Sequence, residues 1–224
     1  MQLPVLLRFS DLLDARITAL NETFVRVIED EGYEGSYRGV YPIKVNQQEQ
    51  VIEEVTRFGK RYHHGLEAGS KAELMAALAY MHDEDAYIVC NGYKDEEFID
   101  LALQAGKMGL RTVIVLEIPS ELDLVLERSR RLGVRPSLGV RARLSAESSG
   151  HWSDSGGDMS VFGLNVAQVV AMADQLREAG MLDCLRMLHY HQGSQIPHIQ
   201  SIRQAAMEAS RIYAGLVAEG APMG

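Results

Sequence analysis

Residues 112–133 read TVIVLEIPSELDLVLERSRRLG, and this stretch contains one complete strand-and-helix unit. Its first half is a short run of apolar and β-branched residues, which predicts a buried strand that ends at Glu117. Ser120 is expected to cap the helix that follows, and Gly133 is expected to end it. The unit therefore places one acidic side chain at the point where the strand gives way to the helix.

The same unit recurs on both sides of this stretch. A polar residue lies at the end of each predicted strand, and the set is Lys44, Glu67, Asn91, Glu117, Arg141 and His191. Successive members are roughly 24 residues apart, except for the last gap, which is about twice as long and contains an insertion. Strict alternation of strands and helices predicts an α/β fold with a parallel sheet. The spacing favours a (β/α)8 TIM-type barrel whose site lies at the carboxyl ends of the strands.

The barrel is expected to be incomplete, because about six units are present where a closed barrel has eight. A doubly wound sheet of Rossmann type is the structural alternative, but the G-x-G-x-x-G turn that it needs after its first strand does not occur. An incomplete barrel has open sheet edges, which are expected near Tyr41 and Leu188. Val40, Ile43, Met187 and Leu188 are then expected to be partly exposed.

The composition is typical of a globular protein that acts on a small molecule. The chain has 46% hydrophobic residues, 24% charged residues and a formal net charge of −9. This charge argues against nucleic-acid binding, because a phosphate backbone demands a basic face. No apolar run approaches the roughly 20 residues that span a bilayer, which argues against a membrane protein. Cys90 and Cys184 are expected to fill core space, and a reducing cytoplasm is the expected location.

Lys44 is the first candidate for chemistry. It lies in VYPIKVN (residues 40–46), a predicted strand that is otherwise mostly apolar. Burial would lower the pKa of such a lysine, which is the property that a Schiff-base lysine needs. The alternative is a lysine at a strand end whose amine reaches solvent, and position alone favours that alternative.

His189 and His191 are expected to point to the same side of the last strand, because side chains alternate along a strand. They could form a platform for a flat ligand ring, with Gly193 and Ser194 holding a phosphate. They could also bind a metal, although no carboxylate or cysteine in register supports this. A metal site would need a third ligand from among His63, His64 and His198. A buried, hydrogen-bonded pair without a ligand is the simplest alternative.

Arg141 and Arg143 also share one face of their strand. An inward-pointing arginine suggests an anionic group such as a phosphate or a carboxylate. An ion pair with Glu117 or Glu67 explains the same pattern equally well. The glycine-rich segment 144–163 is too long for a simple connection, and it is either an active-site flap or a solvated insertion.

Several motifs together resemble one enzyme family. They are YPIKVNQ (41–47), GLEAGSKAEL (65–74), IVCNGYKD (88–95), LGVRARL (138–144), SSGHWSDSGGDMSVFGL (148–164) and LHYHQGSQ (188–195). In this order they closely resemble the biosynthetic arginine decarboxylases, a branch of the alanine-racemase-like, fold type III decarboxylases that use pyridoxal phosphate (PLP). The resemblance extends over essentially the whole chain. The second and third motifs favour arginine decarboxylases over their ornithine and diaminopimelate relatives.

The resemblance implies roles for individual residues. Lys44 would bind PLP covalently, and His191 would stack on the cofactor ring, so these two would be the catalytic residues. Ser194 would help to hold the phosphate. Glu67 would support the lysine and the cofactor, and Arg141 would lie near the ring.

By the same resemblance, the whole protein converts L-arginine to agmatine and CO2 for polyamine synthesis, as a homo-oligomer and with Mg2+ as a further cofactor. No carboxylate cluster with suitable spacing marks a Mg2+ site. Residues 1–224 would be part of the PLP-binding barrel domain, would lack the family's C-terminal β domain and would be inactive alone. The alternatives are a decarboxylase of ornithine, lysine or diaminopimelate, and a non-catalytic PLP-binding barrel. Val161 departs from the family's S-K-F-G segment, where relatives have a lysine.

Overall fold

Six strands alternate with seven helices in the computed structural model, which describes residues 7–145 and 162–224. The strands are β1 (Val40–Pro42), β2 (Gly65–Ala68), β3 (Tyr87–Cys90), β4 (Arg111–Leu116), β5 (Leu138–Arg141) and β6 (Leu185–His189). The helices are α1 (Ser10–Asp30), α2 (Glu49–Gly59), α3 (Lys71–Tyr80), α4 (Glu96–Lys107), α5 (Ser120–Leu132), α6 (Val166–Glu178) and α7 (Ile199–Ala218). The predicted alternation of strands and helices is therefore confirmed.

Each strand pairs in parallel with the next strand along the chain, so the order across the sheet is β1-β2-β3-β4-β5-β6. Crossovers between parallel strands are right-handed, which places the connecting helices on one face of the sheet. On that face Ile88 and Cys90 of β3 and Ile114 of β4 are almost completely buried, in one core cluster with Phe98 of α4. The main core therefore lies between the sheet and its helices.

The opposite face of the sheet, the inner face, carries a smaller apolar cluster. Val89, Val113 and Val115 are buried there, and Val40 and Met187 pack against them. Side chains alternate between the two faces of a strand, so the residues that follow these valines at a spacing of two also point inward. The valine cluster therefore lies beneath whatever side chains end the strands on the inner face.

Two local predictions need correction. The strand predicted around Lys44 ends at Pro42, and Ile43–Val45 form a 3-10 turn, so Lys44 follows the strand. The helix predicted to be capped by Ser120 has Pro119 at its N-cap and no side-chain capping hydrogen bond. Gly133 ends that helix as predicted, with a φ of +63° in the left-handed region that glycine tolerates.

The open edges of the sheet are β1 and β6, because neither has a second neighbour within residues 7–145 and 162–224. Val40, Met187 and Leu188 are partly exposed, as predicted. The prediction for Ile43 is wrong, because its side chain packs into the core on the helical side of the sheet and is 2% exposed. The predicted flap or insertion lies largely outside the described residues, which exclude 146–161.

Apolar surface remains uncovered at two further places. Leu20, Phe24 and Val27 of α1 are 44%, 44% and 50% exposed. A cavity of about 1140 Å3 opens at the amino ends of the strands, and Val113 and Met187 are among its lining residues. None of the helices described is both long and apolar enough to cross a membrane.

Candidate active site

The polar residues predicted at the strand ends form one cluster on the inner face. This polar cluster consists of Lys44, Glu67, Asn91, Glu117, Arg141, His189 and His191. Glu67 of β2 is in register with Pro42 of β1 and Val89 of β3, which fixes its inward direction. Arg141 of β5 is likewise in register with His189 of β6.

Lys44, Glu67 and Asn91 form the first half of the cluster. Oε1 of Glu67 accepts hydrogen bonds from Lys44 Nζ at 3.2 Å and from Asn91 Nδ2 at 3.1 Å. The side chain of Glu67 is 7% exposed, whereas that of Lys44 is 60% exposed. Lys44 is thus an accessible amine held by a buried carboxylate. The desolvated lysine of the first hypothesis is not found, and the solvent-reaching alternative describes its position better.

Glu117 and Arg141 form the second half. Oε2 of Glu117 accepts a hydrogen bond from Arg141 Nη1 at 2.9 Å, and Oε1 accepts one from the backbone N–H of Gly92 at 2.8 Å. The Glu117 side chain is completely buried and that of Arg141 is 15% exposed. The ion pair considered for Arg141 is therefore present, and its partner is Glu117.

The guanidinium of Arg141 also faces an aromatic ring. It lies 5.4 Å from the centroid of Phe162, close enough for a cation–π contact. The ring of Phe162 in turn lies 4.6 Å from that of Tyr93. The residue at the end of the 144–163 segment is thereby attached to the polar cluster.

The two histidines lie in an electropositive environment. Burial, followed by the charges of Arg141 and His191, lowers the pKa of His189 to about 3. Burial, followed by the charges of Arg141 and Lys44, also lowers the pKa of His191. β6 ends at His189, so strand alternation alone does not place His191. In addition to burial, the charges of Arg141 and Lys44 nevertheless lower the pKa of both imidazoles, which favours their neutral form.

Neither histidine belongs to a metal-binding group in the part of the chain that the structure describes. The group of potential ligands found there is His63, Asp83 and Asp85. His63 pairs with Asp83 at 3.0 Å, and Asp85 pairs with Arg111. This group does not include His189 or His191, so the described residues offer the two histidines no further metal ligand.

Ser194 lies in the turn that follows β6. Gly193 has a φ of +124° and Gln195 a φ of +54°, so the backbone bends sharply on both sides of Ser194. Ser194 itself is exposed. The turn brings a hydroxyl and backbone N–H groups close to the carboxyl end of β6, where Arg141 and the histidines lie.

The sequence reasoning missed a buried ion pair beside the cluster. Nζ of Lys94 lies 3.3 Å from Oε1 of Glu121, and their side chains are 0% and 3% exposed. The only signal was position, because Lys94 follows β3 and Glu121 begins the helix after β4. The two cysteines are buried as predicted, and burial raises the pKa of Cys90 to about 12, so its thiol is inert.

Comparison with known proteins places this geometry in context. The family model described as "Pyridoxal-dependent decarboxylase, pyridoxal binding domain" matches residues 20–224. The chain is 52% identical over 221 residues to the biosynthetic arginine decarboxylase of Alkalilimnicola ehrlichii, and 46% identical over 224 residues to that of Prochlorococcus marinus. These alignments cover 99% and 100% of this chain. The chain spans 35% of the length of each relative.

Solved structures agree. The crystal structure of the biosynthetic arginine decarboxylase from Campylobacter jejuni superposes with a TM-score of 0.86 at 34% identity, over 96% of this chain and 34% of that one. A diaminopimelate decarboxylase from Helicobacter pylori, complexed with L-lysine, superposes with a TM-score of 0.73 at 19% identity, over 94% of this chain and 50% of that one. The predicted barrel class is confirmed, with six strands of an incomplete barrel.

Proposed function

Since this chain belongs to the pyridoxal-dependent decarboxylases, as part of their pyridoxal-binding domain, we propose that the whole protein removes the α-carboxylate of L-arginine as CO2. The products are agmatine and CO2, and the reaction serves polyamine synthesis. PLP is the cofactor of this family. We further propose that Lys44, Glu67, Arg141, His191 and Ser194 form its site in this chain.

One observation carries the assignment of the site: an accessible amine held by a buried carboxylate. Lys44 Nζ donates to Glu67 Oε1 at 3.2 Å, at the carboxyl end of a parallel sheet. In barrels of this class the reacting groups lie at that end of the strands. A lysine in this position is suited to bind the aldehyde of PLP covalently.

The residues present fit PLP on a second count. Glu67 Oε2, Asn91 Oδ1 and His189 Nδ1 are buried without a hydrogen-bond partner among the residues described. Buried polar atoms without partners are rare in folded proteins, and a ligand often supplies what is missing. Three such atoms in one cluster favour a polar ligand bound between them.

Lys44 and Glu67 manage the proton of the reacting amine. Lys44 must lose a proton from Nζ before it acts as a nucleophile, and Glu67 Oε1 is close enough to hold that proton. Asn91 donates to the same oxygen at 3.1 Å and so keeps the carboxylate turned toward Lys44. When bound, PLP supplies the electron sink for the carbanion that forms as CO2 leaves.

Arg141 and His191 shape the other side of the site. Arg141 would provide a fixed positive charge to the site when PLP is bound. Burial, followed by the charges of Arg141 and Lys44, lowers the pKa of His191, which favours a neutral imidazole that can stack as a flat ring. Ser194 and the neighbouring backbone N–H groups are available to hold the phosphate.

Arginine is proposed as the substrate because relatives at about half identity over the whole chain are named biosynthetic arginine decarboxylases. In the remaining length, which this chain does not span, we place the C-terminal β domain and the residues that contact the arginine side chain. We also propose a homo-oligomer in the cytoplasm, where buried, unpaired Cys90 and Cys184 stay reduced. Mg2+ remains a cofactor implied by the resemblance, and we assign it to none of the described residues.

The test is release of CO2 by the full-length protein, loaded with PLP, from arginine, ornithine, lysine and diaminopimelate. We expect arginine to have the highest kcat/KM and agmatine to be the product. A preference for one of the other three substrates would overturn the choice of substrate. PLP binding without release of CO2 from any of them would establish a non-catalytic barrel instead.

A further inference from the structure

The ion pair between Lys94 and Glu121 is a buried polar feature that the proposed function does not use. Nζ of Lys94 lies 3.3 Å from each carboxylate oxygen of Glu121. Their side chains are 0% and 3% exposed, so both charges have lost their hydration. Desolvation can outweigh the attraction within a buried pair, so the pair is a poor source of stability by itself.

The pair joins the loops that follow two neighbouring strands. Oε1 of Glu121 accepts from the backbone N–H of Lys94 at 3.0 Å, and Oε2 accepts from that of Glu117 at 2.7 Å. Nζ of Lys94 donates to the carbonyl oxygen of Gly92 at 2.5 Å. The backbone of Gly92 and Lys94 after β3 and that of Glu117 after β4 are therefore hydrogen-bonded to one buried carboxylate and one buried amine.

Glu117 transmits this positioning to the site. Its backbone N–H donates to Glu121, and its side chain accepts hydrogen bonds from the backbone N–H of Gly92 at 2.8 Å and from Nη1 of Arg141 at 2.9 Å. The carboxylate of Glu117 thus orients the guanidinium of Arg141. The Lys94–Glu121 pair in turn positions the backbone of Glu117 and, through Gly92, its side chain. The hydrogen bonds described for Lys94 and Glu121 join the two side chains to each other and to the backbone of residues 92, 94 and 117.

We propose that Lys94 and Glu121 are positioning residues that act through Glu117 to fix Arg141, and that they thereby set the affinity for PLP. This inference rests on the proposed PLP site and is independent of the proposed substrate. Its mechanism is indirect, because the pair holds the loops in which Gly92 and Glu117 lie. If the pair were only structural, its replacement would change stability and leave PLP affinity unchanged.

The first experiment replaces the pair in the full-length protein by Lys94→Met together with Glu121→Gln. This double replacement leaves no unpaired charge buried. Glutamine has only one side-chain oxygen, however, so the backbone N–H of residue 94 or that of Glu117 loses its acceptor. We expect the dissociation constant for PLP, measured by titration without substrate, to rise at least about ten-fold. That is the factor that one misplaced hydrogen bond to a charged group typically carries.

The matched control is an ion pair between two helices that cover the outer side of the sheet, in which only the arginine is buried. Arg128 of α5 has a side chain that is 7% exposed and donates to Asp100 and Glu96 of α4. Arg128→Met should lower the melting temperature while PLP affinity stays within about two-fold of the parent value. An equal loss of affinity in this control would show that PLP binding follows stability alone, and would overturn the proposal.

The second experiment tests the route through Arg141. In an Arg141→Met background the double replacement should weaken PLP binding by less than about two-fold further, because residues that act as one unit are not additive. Equal losses with and without Arg141 would show that the pair acts independently of it and would overturn the proposal. If the double variant does not fold, Glu121→Gln alone serves, and unchanged affinity in that variant would overturn the proposal as well.

These readouts remain separate from the proposed function. Failure to release CO2 from arginine would leave the PLP titrations intact. Absence of PLP binding in the parent protein would refute the proposed site, whereas binding that is unaffected by the pair would refute only the positioning role.

Discussion

Lys44 is the one lysine of the polar cluster, and its side chain is 60% exposed. Borohydride reduction of the full-length protein loaded with PLP should therefore attach the cofactor to the peptide that contains Lys44. Peptide mapping by mass spectrometry measures this, with Lys44→Arg as the control that should remain unlabelled. Label on Lys60, Lys71 or Lys94 would contradict the assignment, and for Lys94 the complete burial of its side chain gives a reason to expect none.

His191 is predicted to contact the cofactor ring. His191→Ala should weaken PLP binding by about two- to thirteen-fold, because a ring-stacking contact contributes about 0.5–1.5 kcal/mol. The melting temperature should hardly change, since His191 keeps much of its surface exposed although its ring is partly desolvated. PLP titration and thermal melting test both parts. A metal site would be favoured instead if a metal chelator abolished the activity of the parent protein and if His189→Ala and His191→Ala each caused the same loss.

His189 should make stability depend on pH. Its pKa is about 3 in the folded protein against an ordinary value of 6.5. Below pH 6.5 His189 becomes protonated in the unfolded chain and stays neutral in the folded protein. The free energy of unfolding therefore decreases as the pH falls toward 3, by at most about 1.4 kcal/mol per pH unit.

The measurement is the melting temperature of the PLP-free, full-length protein at about pH 7 and about pH 5, compared with that of His189→Gln. The parent should lose more stability than the variant on acidification. Equal losses in the two proteins would mean that His189 titrates normally in the folded state.

At this scale the sequence predicts identities better than environments. Position at a strand end is enough to select Lys44, Glu67 and Arg141, because parallel strands bring their carboxyl ends together. It does not reveal that Lys44 is exposed or that Arg141 pairs with Glu117. Both facts depend on which side chains of neighbouring strands come into contact in the folded protein. A linear pattern of residues does not contain that information.

At the scale of elements, the turn after β3 depends on Gly92. Its φ is +72°, and a Cβ at this position would lie 2.5 Å from the carbonyl oxygen of Gly69. Gly133, with a φ of +63° and no atom within 4 Å of a Cβ, is the matched control.

Gly133→Ala should cost only the left-handed backbone, about 1–2 kcal/mol, whereas Gly92→Ala should cost at least about 1 kcal/mol more. Only Gly92→Ala should also weaken PLP binding, because the Gly92 N–H donates to Glu117. Thermal melting and PLP titration of the full-length variants measure this. Equal effects of the two substitutions would show that the turn yields without strain.

The elements themselves are largely predictable, and their ends are not. Alternation and apolar periodicity predict all six strands, since each strand is short, apolar and bounded by helix signals. The segment around Lys44 looks like a longer strand because Ile43 and Val45 are β-branched. Ile43–Val45 nevertheless form a 3-10 turn, and Ile43 packs into the core on the helical side of the sheet, the side that strand alternation also gives it.

For the molecule as a whole, uncovered surface should govern the behaviour of this 224-residue chain by itself. The sheet edges at β1 and β6 expose unpaired backbone groups, and Leu20, Phe24 and Val27 of α1 are about half exposed. Such edges pair with other chains, and burying each of these side chains is worth about 1.5–3 kcal/mol.

Sedimentation velocity should therefore show association that grows with concentration, and the chain alone should release no measurable CO2 from arginine. Phe24→Lys together with Val27→Lys should reduce the association, because a charged face opposes apolar contact. A monodisperse monomer that melts cooperatively, binds PLP and releases CO2 would contradict this expectation.

The order of the sheet also has a consequence for synthesis on the ribosome. Each hydrogen bond of the polar cluster joins neighbouring units: the two partners are 23 residues apart for Lys44 and Glu67, and 24 residues apart for Arg141 and Glu117. Every strand pairs with the one made just before it, so each new contact closes only a short loop. Domains fold from the amino terminus as they emerge. The nascent chain can therefore gain its reactive side chains one at a time, in the order of translation.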